Sequence, residues 1–433
     1  MDVVFLLFGI LAAYLFGAVP FGLLVARIKG VDLLRQGSGN IGATNVGRVM
    51  GRRYGLLVFL LDLLKGAISS WVGLRFLSNP FGSETSGILM GASAFVGHLF
   101  PIYLGFKGGK GVATGAGVMA VLVPIPFLFA IITWVAAVAS SRMVSFGSLV
   151  STLVLVVLQG SVLVLHSGRA GNWELFFFTL LCSGFVWIKH ISNIKRICNG
   201  TENLVQDSLF WRGLEKSMLQ LALGLWIGSY AFFTFVVGPG VFNWFEKAVL
   251  QENPPYWLVV PEVLKQKAPE GMPNPLEKEQ ASRLAGLVVS PLFKVYYPLQ
   301  FACACLLLML FVGKNISGPH RVGNKTIMVF FFALALLVAN WLLLGPTEKA
   351  RLQRAKSTDA YILAPQENKP DVTGVIEDRK AFGKLHGISL IMNLGTGIFL
   401  LAGIVSLAFQ KTESAAIQAS GIEEITLTQS SKV

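Results

Sequence analysis

Residues 37–48 read Gly37-Ser38-Gly39-Asn40-Ile41-Gly42-Ala43-Thr44-Asn45-Val46-Gly47-Arg48, and we call them the first glycine motif. The motif follows one long apolar segment and precedes another, and it offers little with which to build a hydrophobic core. A loop this rich in glycine lets several backbone N–H groups point at one anion, and Arg48 adds charge and a fork of donors. The stretch therefore predicts a phosphate-binding loop between two apolar helices.

The composition is that of a membrane protein. Of the 433 residues, 54% are hydrophobic and only 14% are charged, and the mean hydropathy is +0.64. Soluble domains have roughly a quarter of their residues charged. We therefore expect an all-α fold, a polytopic helical membrane protein.

The cysteines and the net charge exclude other classes. The four cysteines show no C-x-x-C spacing, and three of them lie in or beside apolar runs, which argues against a disulfide scaffold and against a zinc site. The net charge of +13 comes without a basic stripe interleaved with aromatic residues. Cytoplasmic loops that follow the positive-inside rule account for this charge, so we expect no nucleic-acid partner.

The first half of the chain predicts a bundle of seven membrane helices. Asp2 precedes the first span while Arg27 and Lys29 follow it, so this span is a retained helix with its N-terminus outside. Pro124 and Pro126 divide one long apolar stretch into two shorter helices. The apolar stretches cover residues 3–26, 54–75, 87–104, 112–139 (the divided one), 147–165 and 174–189.

The distribution of basic residues supports this threading. Residues 1–203 contain 15 Lys and Arg residues, of which Arg75 and Arg169 fall in outer loops and Lys65 falls within a span. The other twelve fall in loops placed inside: Arg27, Lys29, Arg35, Arg48, Arg52, Arg53, Lys107, Lys110, Arg142, Lys189, Lys195 and Arg196. This asymmetry predicts that the polar motifs share the cytoplasmic face.

Two further polar motifs lie on that face. The second glycine motif is residues 105–111, Gly-Phe-Lys-Gly-Gly-Lys-Gly, in which Lys110 stands between glycines. The third motif is residues 190–202, with the pattern His190-x-x-Asn193-Ile-x-Arg196-x-x-x-Gly200-x-Glu202. Together with the first glycine motif, they predict a cationic, donor-rich site at the membrane surface.

These three motifs resemble the signature motifs of the bacterial acyl-phosphate:glycerol-3-phosphate acyltransferases. His98-Leu99-Phe100-Pro101, Asp62-x-x-Lys65-Gly66 and the Ser145 loop also resemble that family. The resemblance covers residues 1–205, which is about the length of the whole family. It implies transfer of an acyl group from acyl phosphate to the sn-1 hydroxyl of glycerol 3-phosphate. The products would be 1-acyl-glycerol 3-phosphate (lysophosphatidate) and phosphate, as in the first step of phospholipid synthesis.

The resemblance also implies roles for individual residues. Four are expected to be catalytic: Ser38, Lys110, His190 and Asn193. Others are expected to bind substrate: Gly37, Gly39, Asn40, Gly42, Thr44, Asn45, Arg48, Lys107, Gly108, Gly109, Gly111, Thr114, Ser145 and Arg196. Glu202 is expected to order its loop, and Asp62 and Lys65, at i and i+3 within a span, are expected to form a structural ion pair. His98 is open between a core role and a site role. No metal and no cofactor are expected.

Several alternatives are weighed against this function. The chain has no G-x-S-x-G motif, and no histidine is followed by Asp five residues later, so neither a serine triad nor a thioester-dependent acyltransferase is indicated. Gly37-x-Gly39-x-x-Gly42 matches a dinucleotide-binding fingerprint, but an apolar helix precedes it where a strand is required. His190, at a helix end, could simply cap carbonyl groups. The alternative function is a membrane transporter of phosphorylated small molecules.

The second half predicts an accessory domain. Residues 206–410 contain apolar stretches near 217–238, 295–313, 326–345 and 385–409, and they weakly resemble a four-helix membrane domain with no assigned function. His386 and Asn393 are as consistent with buried polar contacts between helices as with a site. Residues 411–433 are predicted to be a disordered tail. The expected location is the bacterial inner (cytoplasmic) membrane, with the bilayer, acyl phosphate and glycerol 3-phosphate as partners. The sequence leaves the oligomeric state open.

Overall fold

The computed structural model describes most of the chain and is almost entirely helical. The described residues are 2–76, 82–165, 173–206, 208–251, 255, 258, 260–265, 272, 275–317, 322–365, 368 and 370–430. Helix accounts for 85% of the chain and no strand occurs among these residues, so the predicted all-α membrane fold is confirmed. The chain divides into two compact units, Met1–Arg212 with Ile316–Gly318, and Gly213–Asn315 with Pro319–Val433.

Besides a 3₁₀ helix at Ile102–Leu104, the described residues of the first unit form ten α-helices. They are α1 (Asp2–Ala18), α2 (Phe21–Ile28), α3 (Ala43–Met50), α4 (Arg52–Phe76), α5 (Ser83–Leu99), α6 (Val112–Leu122), α7 (Pro124–Ser141), α8 (Val144–Leu165), α9 (Trp173–Lys189) and α10 (Ile191–Cys198).

The predicted spans correspond to these helices. Helices α4, α5, α7 and α8 are each long and apolar enough to cross a bilayer. The first predicted span is α1 and α2, bent by 41° where Pro20 cannot donate an N–H bond. The long stretch divides at Pro124, with the short helix α6 before it and α7 after it. Arg169, counted as an outer residue, lies outside the described residues.

Close contact between helices depends on glycine. A Cβ atom at Gly66 of α4 would lie 2.1 Å from the carbonyl oxygen of Thr114 in α6, and one at Gly117 of α6 would lie 1.9 Å from that of Leu63. In the same way, a Cβ at Gly17 of α1 would lie 2.1 Å from the carbonyl oxygen of Ala94 in α5. Small residues let membrane helices approach this closely, because lipid offers no hydrophobic driving force between them.

The first glycine motif differs from its predicted form, because its second half is helical. Helix α3 begins at Ala43, so Arg48 lies on a helix rather than in a loop. Its apolar face, formed by Val46, Val49 and Met50, packs against a small core that includes Leu33 and Val58. Those three positions have the i, i+3, i+4 spacing of an amphipathic helix, a signal that the glycine content obscures.

The second unit is built from long helices. They are α11 (Leu209–Ala231), α12 (Gly238–Val249), α13 (Glu277–Ser317), α14 (Asn324–Leu363) and α15 (Val372–Ser430), with a π-helical turn at Phe232–Val237 between the first two. All four predicted spans fall within them, and their core contains Trp226, Phe311 and Phe330. The described backbone of residues 411–430 continues α15 as a helix where the sequence predicts disorder. Extension adds residues to a helix that is already nucleated, which costs little for a segment containing Ala415 and Ala416.

Candidate active site

The first glycine motif is held from within by the side chain of Asn45. Its Nδ2 donates to the backbone carbonyl oxygens of Asn40, Gln36 and Leu33 at 2.9, 3.1 and 3.3 Å. Its Oδ1 accepts the backbone N–H of Ser38 at 2.7 Å. The amide is thus engaged inside the loop and shapes it, while the predicted contact of Asn45 with substrate stays a prediction.

The rest of the motif is arranged around this amide. Gly37 has a φ of +63°, and a Cβ there would lie 2.2 Å from Asn45 Oδ1, so a side chain would displace the loop. Asn40 Oδ1 accepts the N–H of Gly42 at 2.9 Å, just before α3 begins. Ser38, Thr44 and Arg48 are exposed. The groups expected to meet substrate therefore remain accessible.

The second glycine motif folds back against the end of α5. The N–H of Gly109 donates to the carbonyl oxygen of His98 at 3.1 Å. A Cβ at Gly108 would lie 2.2 Å from that same oxygen, and one at Gly109 would lie 2.1 Å from His98 Nε2. Lys107 is exposed and Lys110 is half-buried. Glycine is required here because the backbone lies directly on another part of the chain.

The third motif begins at a sharp bend. Helix α9 ends at Lys189 and α10 continues at an angle of 58°, with the buried residue His190 at the junction. His190 Nδ1 lies 2.7 Å from the carbonyl oxygen of Val186. A carbonyl oxygen only accepts, so Nδ1 carries the proton and Nε2 is left as an acceptor. The ring thus caps the end of α9 and also presents an unprotonated nitrogen, since burial and the charge of Lys110 lower the pKa of His190 to about 4.

A hydrogen-bonded chain joins the second and third motifs. Lys110 Nζ donates to Asn193 Oδ1 at 2.5 Å, and Asn193 Nδ2 donates to Glu202 Oε1 at 2.8 Å. Arg196 Nε donates to the other oxygen of Glu202, also at 2.8 Å. Glu202 therefore orients Asn193 and Arg196 at once, while its predicted role in ordering its own loop stays a prediction.

The electrostatics bring the first motif into the same site. Burial, aided by the charges of Arg196 and Arg48 and opposed by Glu202, lowers the pKa of Lys110 to about 8. Arg48 is exposed as a residue, but partial burial of its guanidinium group lowers its pKa in the same direction, with Glu202 opposing this and Arg196 adding to it. Three cations from three separated motifs thus share one region with a single carboxylate, which is the field that a multiply charged anion requires.

Known proteins are similar to the first unit of this chain. A family described as glycerol-3-phosphate acyltransferase matches residues 7–200. The glycerol-3-phosphate acyltransferase of Desulfotalea psychrophila is 42% identical over 196 residues, which is 44% of this chain and 94% of that protein. The protein of the same name from Aquifex aeolicus is 36% identical and is covered over 97% of its length, which is 46% of this chain. The chain belongs to the glycerol-3-phosphate acyltransferase family.

A solved structure is also similar to this chain. The glycerol 3-phosphate form of PlsY, described as an integral membrane glycerol 3-phosphate acyltransferase, is 35% identical, with 46% of this chain and 96% of that chain covered and a TM-score of 0.42. As a member of the glycerol-3-phosphate acyltransferase family, the protein is an acyltransferase and not the transporter weighed as an alternative. The family match ends at residue 200, so the second unit lies beyond it.

Two further residues that were expected to bind substrate, Thr114 and Ser145, have buried hydroxyl groups. Thr114 lies in the first turn of α6, directly after the second glycine motif, and Ser145 lies in the first turn of α8. Neither Oγ1 of Thr114 nor Oγ of Ser145 has a hydrogen-bond partner within the described part of the chain. A buried hydroxyl without a partner is costly, so these two donors are available to a bound ligand.

The acyltransferase unit also contains the predicted ion pair, and a residue that the sequence left undecided joins it. Lys65 Nζ lies 2.9 Å from Asp62 Oδ1, and both side chains are buried in α4. His98 Nδ1 lies 3.8 Å from the same oxygen. Its position at the end of an apolar span gave no signal for this contact, because α4 and α5 are brought together only by folding.

Proposed function

We propose that the protein transfers an acyl group from acyl phosphate to the sn-1 hydroxyl of glycerol 3-phosphate. The observation that carries this proposal is the convergence of Arg48, Lys110 and Arg196 on one glycine-rich surface. Both substrates bear phosphate, so the site must hold two anions while one hydroxyl approaches one carbonyl. Backbone N–H groups and cations of this kind bind phosphate and stabilise it as a leaving group.

The reaction needs no covalent enzyme intermediate, because the donor is already an activated mixed anhydride. The hydroxyl oxygen of glycerol 3-phosphate attacks the carbonyl carbon of the acyl phosphate and forms the new ester bond. The bond between that carbon and the phosphate oxygen breaks, and the electron pair leaves with the phosphate. Holding both reactants in one site supplies much of the rate by itself, up to about 7–11 kcal/mol of the barrier.

His190 is the group suited to the proton. Its Nδ1 hydrogen is committed to Val186, and burial lowers the pKa of the ring to about 4, so Nε2 is free of a proton at neutral pH. It accepts a hydrogen bond from the hydroxyl and takes that proton only as the ester bond forms, and the departing phosphate then receives it. Lys110, held by Asn193, is placed beside this ring and stabilises negative charge. Ser38 and Thr44 donate from the exposed side of the first glycine motif, with Gly39 and Lys107 beside the anions.

The proposed orientation places these motifs on the cytoplasmic side of the inner membrane, with the N-terminus outside. The asymmetry of Lys and Arg in the loops supports it. Lys107→Cys and Arg75→Cys, each in a chain whose own cysteines are replaced, test this orientation with an impermeant maleimide in intact cells. The cysteine at position 75 should be labelled, and the cysteine at position 107 should be protected. Faster labelling at position 107 than at position 75 would show that the protein has the opposite orientation.

The direct test is an assay of the purified protein with acyl phosphate and glycerol 3-phosphate. We expect release of phosphate and formation of lysophosphatidate, and little turnover with acyl-CoA or acyl-carrier protein. Arg48→Ala should lower kcat/KM at least about a hundredfold, because a pre-organised charged donor contributes on the order of 3 kcal/mol. The matched control is Arg75→Ala in the last turn of α4, which should behave like the parent. Equal turnover with acyl-CoA would refute the donor assignment.

A further inference from the structure

A buried polar cluster lies among the helices of the first unit and takes no part in the chemistry proposed above. It consists of Asp62, Lys65 and His98, whose side chains are at most 6% exposed. Charged side chains within a membrane helix are costly to insert and are usually functional. Such a cluster is therefore expected to have a functional role. Its contacts extend to both glycine motifs.

The first direction leads to the first glycine motif. Lys65 Nζ donates to the carbonyl oxygen of Val19 at 3.0 Å, at the break between α1 and α2. Helix α2 lies directly against the motif, because a Cβ at Gly22 would be 1.9 Å from the carbonyl oxygen of Ile41. The ammonium group of Lys65 thus stabilises the bend that sets the position of α2. Helix α2 in turn packs against the first glycine motif and supports it.

The second direction leads to the second glycine motif. Asp62 lies beside the Nδ1 edge of His98, and the opposite edge of the ring, Nε2, meets the backbone of Gly109. The carbonyl oxygen of His98 also accepts the N–H of Gly109 at 3.1 Å. Lys110 is the next residue, so the position of the His98 ring determines the backbone position from which the Lys110 side chain extends.

We propose that Asp62, Lys65 and His98 are positioning residues that fix the two glycine motifs relative to each other for the phosphate of glycerol 3-phosphate. This inference rests on the proposed function. The cluster connects Ile41 to Gly109 through one carboxylate, and packed buried groups transmit a displacement because they have little room to relax. A cluster that only joined helices would affect stability, whereas this one sets the affinity for the phosphate-bearing acceptor.

A double-mutant cycle between His98 and Gly109 tests this directly. In Gly109→Ala the new methyl group would lie 2.1 Å from His98 Nε2, so it pushes the second glycine motif away. In His98→Ala the ring is absent and the motif loses its support. In the double variant the methyl group occupies space that the ring has vacated. Coupling of this kind is measured as the departure of the double variant from the sum of the two single variants.

Two measurements on the full-length protein in lipid nanodiscs serve as readouts. One is KM for glycerol 3-phosphate with acyl phosphate saturating, and the other is the rise in unfolding temperature that glycerol 3-phosphate produces without a donor. Gly109→Ala should raise KM about tenfold or more in the parent and less than about threefold in the His98→Ala background, a coupling typical of residues in contact. His98→Gln, which keeps a polar atom near the position of Nε2, should recover most of the affinity lost in His98→Ala.

The control is Gly184→Ala in α9, where a Cβ meets nothing within 4 Å, and it should change neither readout. Equal cost of Gly109→Ala in both backgrounds, or a fall in unfolding temperature with unchanged KM and unchanged ligand response, would overturn the inference. If the parent shows no turnover but glycerol 3-phosphate still stabilises it with the expected coupling, the proposed reaction fails and the positioning role stands. If glycerol 3-phosphate has no effect in either measurement, both fail.

Discussion

Lys110 shows how the surroundings of one residue set its chemistry. It is half-buried, it donates to Asn193, and it shares its region with two guanidinium groups. Burial and these like charges lower its pKa to about 8, whereas a solvated lysine stays charged to much higher pH. Most Lys110 side chains are therefore charged at neutral pH, and the charge is lost within the range in which an enzyme can be assayed.

This gives a pH dependence with a definite sign. The phosphate of glycerol 3-phosphate is already doubly charged at pH 7, since the second pKa of such a group is about 6. Above pH 8 the free enzyme loses the Lys110 proton, so kcat/KM for glycerol 3-phosphate should fall, approaching about tenfold per pH unit. Lys110→Arg, which stays charged, should have a lower but flat profile between pH 7 and 9.5. A flat profile for the parent protein would show that Lys110 does not titrate there.

At the scale of an element, α10 is the helix whose position the site depends on. It has only eight residues and follows a 58° bend, so it has little stability of its own. Glu202 stabilises it from beyond its C-terminal end by accepting from Asn193 and Arg196. The carboxylate thus acts on catalysis through the helix that it holds in place.

Replacing Glu202 should separate these two contacts. Glu202→Ala leaves both donors without an acceptor, and since a hydrogen bond to a charged group contributes about 1.5–3 kcal/mol, kcat/KM should fall more than tenfold. Glu202→Gln retains an oxygen for Asn193 and should lose less. The matched control is Glu174→Ala at an exposed contact with Thr85, which should have little effect. Steady-state kinetics and thermal unfolding check this, and equal loss in the Ala and Gln variants would contradict it.

At the scale of the whole molecule, the division into two units predicts that they can be separated. All three motifs and ten helices lie within Met1–Arg212, and the family match ends at residue 200. A chain that ends at residue 212 should therefore insert in membranes and transfer acyl groups within about threefold of the full-length rate, as expected for separate domains. Gly213–Val433 alone should have no such activity.

The measurement should compare donors of several chain lengths. A shortened protein that works with short chains but fails with long ones would assign part of the acyl-chain site to the second unit. A shortened protein that is folded and inactive with every donor would show that both units form the catalytic enzyme.

The sequence by itself determined the class, the spans and the motifs. Apolar length fixes which segments cross the bilayer, because each crossing must satisfy its own backbone hydrogen bonds. Proline fixes the break at Pro124, because its ring removes a donor from the helix. The motifs at residues 37–48, 105–111 and 190–202 were enough to indicate the acyltransferase family, because their residue types and order are visible in the sequence alone.

Only the tertiary structure decided how those residues divide the work. The amide of Asn45 is hydrogen-bonded inside its own loop, and Glu202 accepts hydrogen bonds from both Asn193 and Arg196. The spacing of the motifs reveals neither contact. Arg48 lies on α3 because apolar contacts made by Val46 outweigh the low helix propensity of a glycine-rich stretch. The placement of His98 between Asp62 and Gly109 depends on α4, α5 and the second glycine motif packing together. Such contacts are set by side-chain volume and close packing across the fold, and a linear pattern carries no record of them.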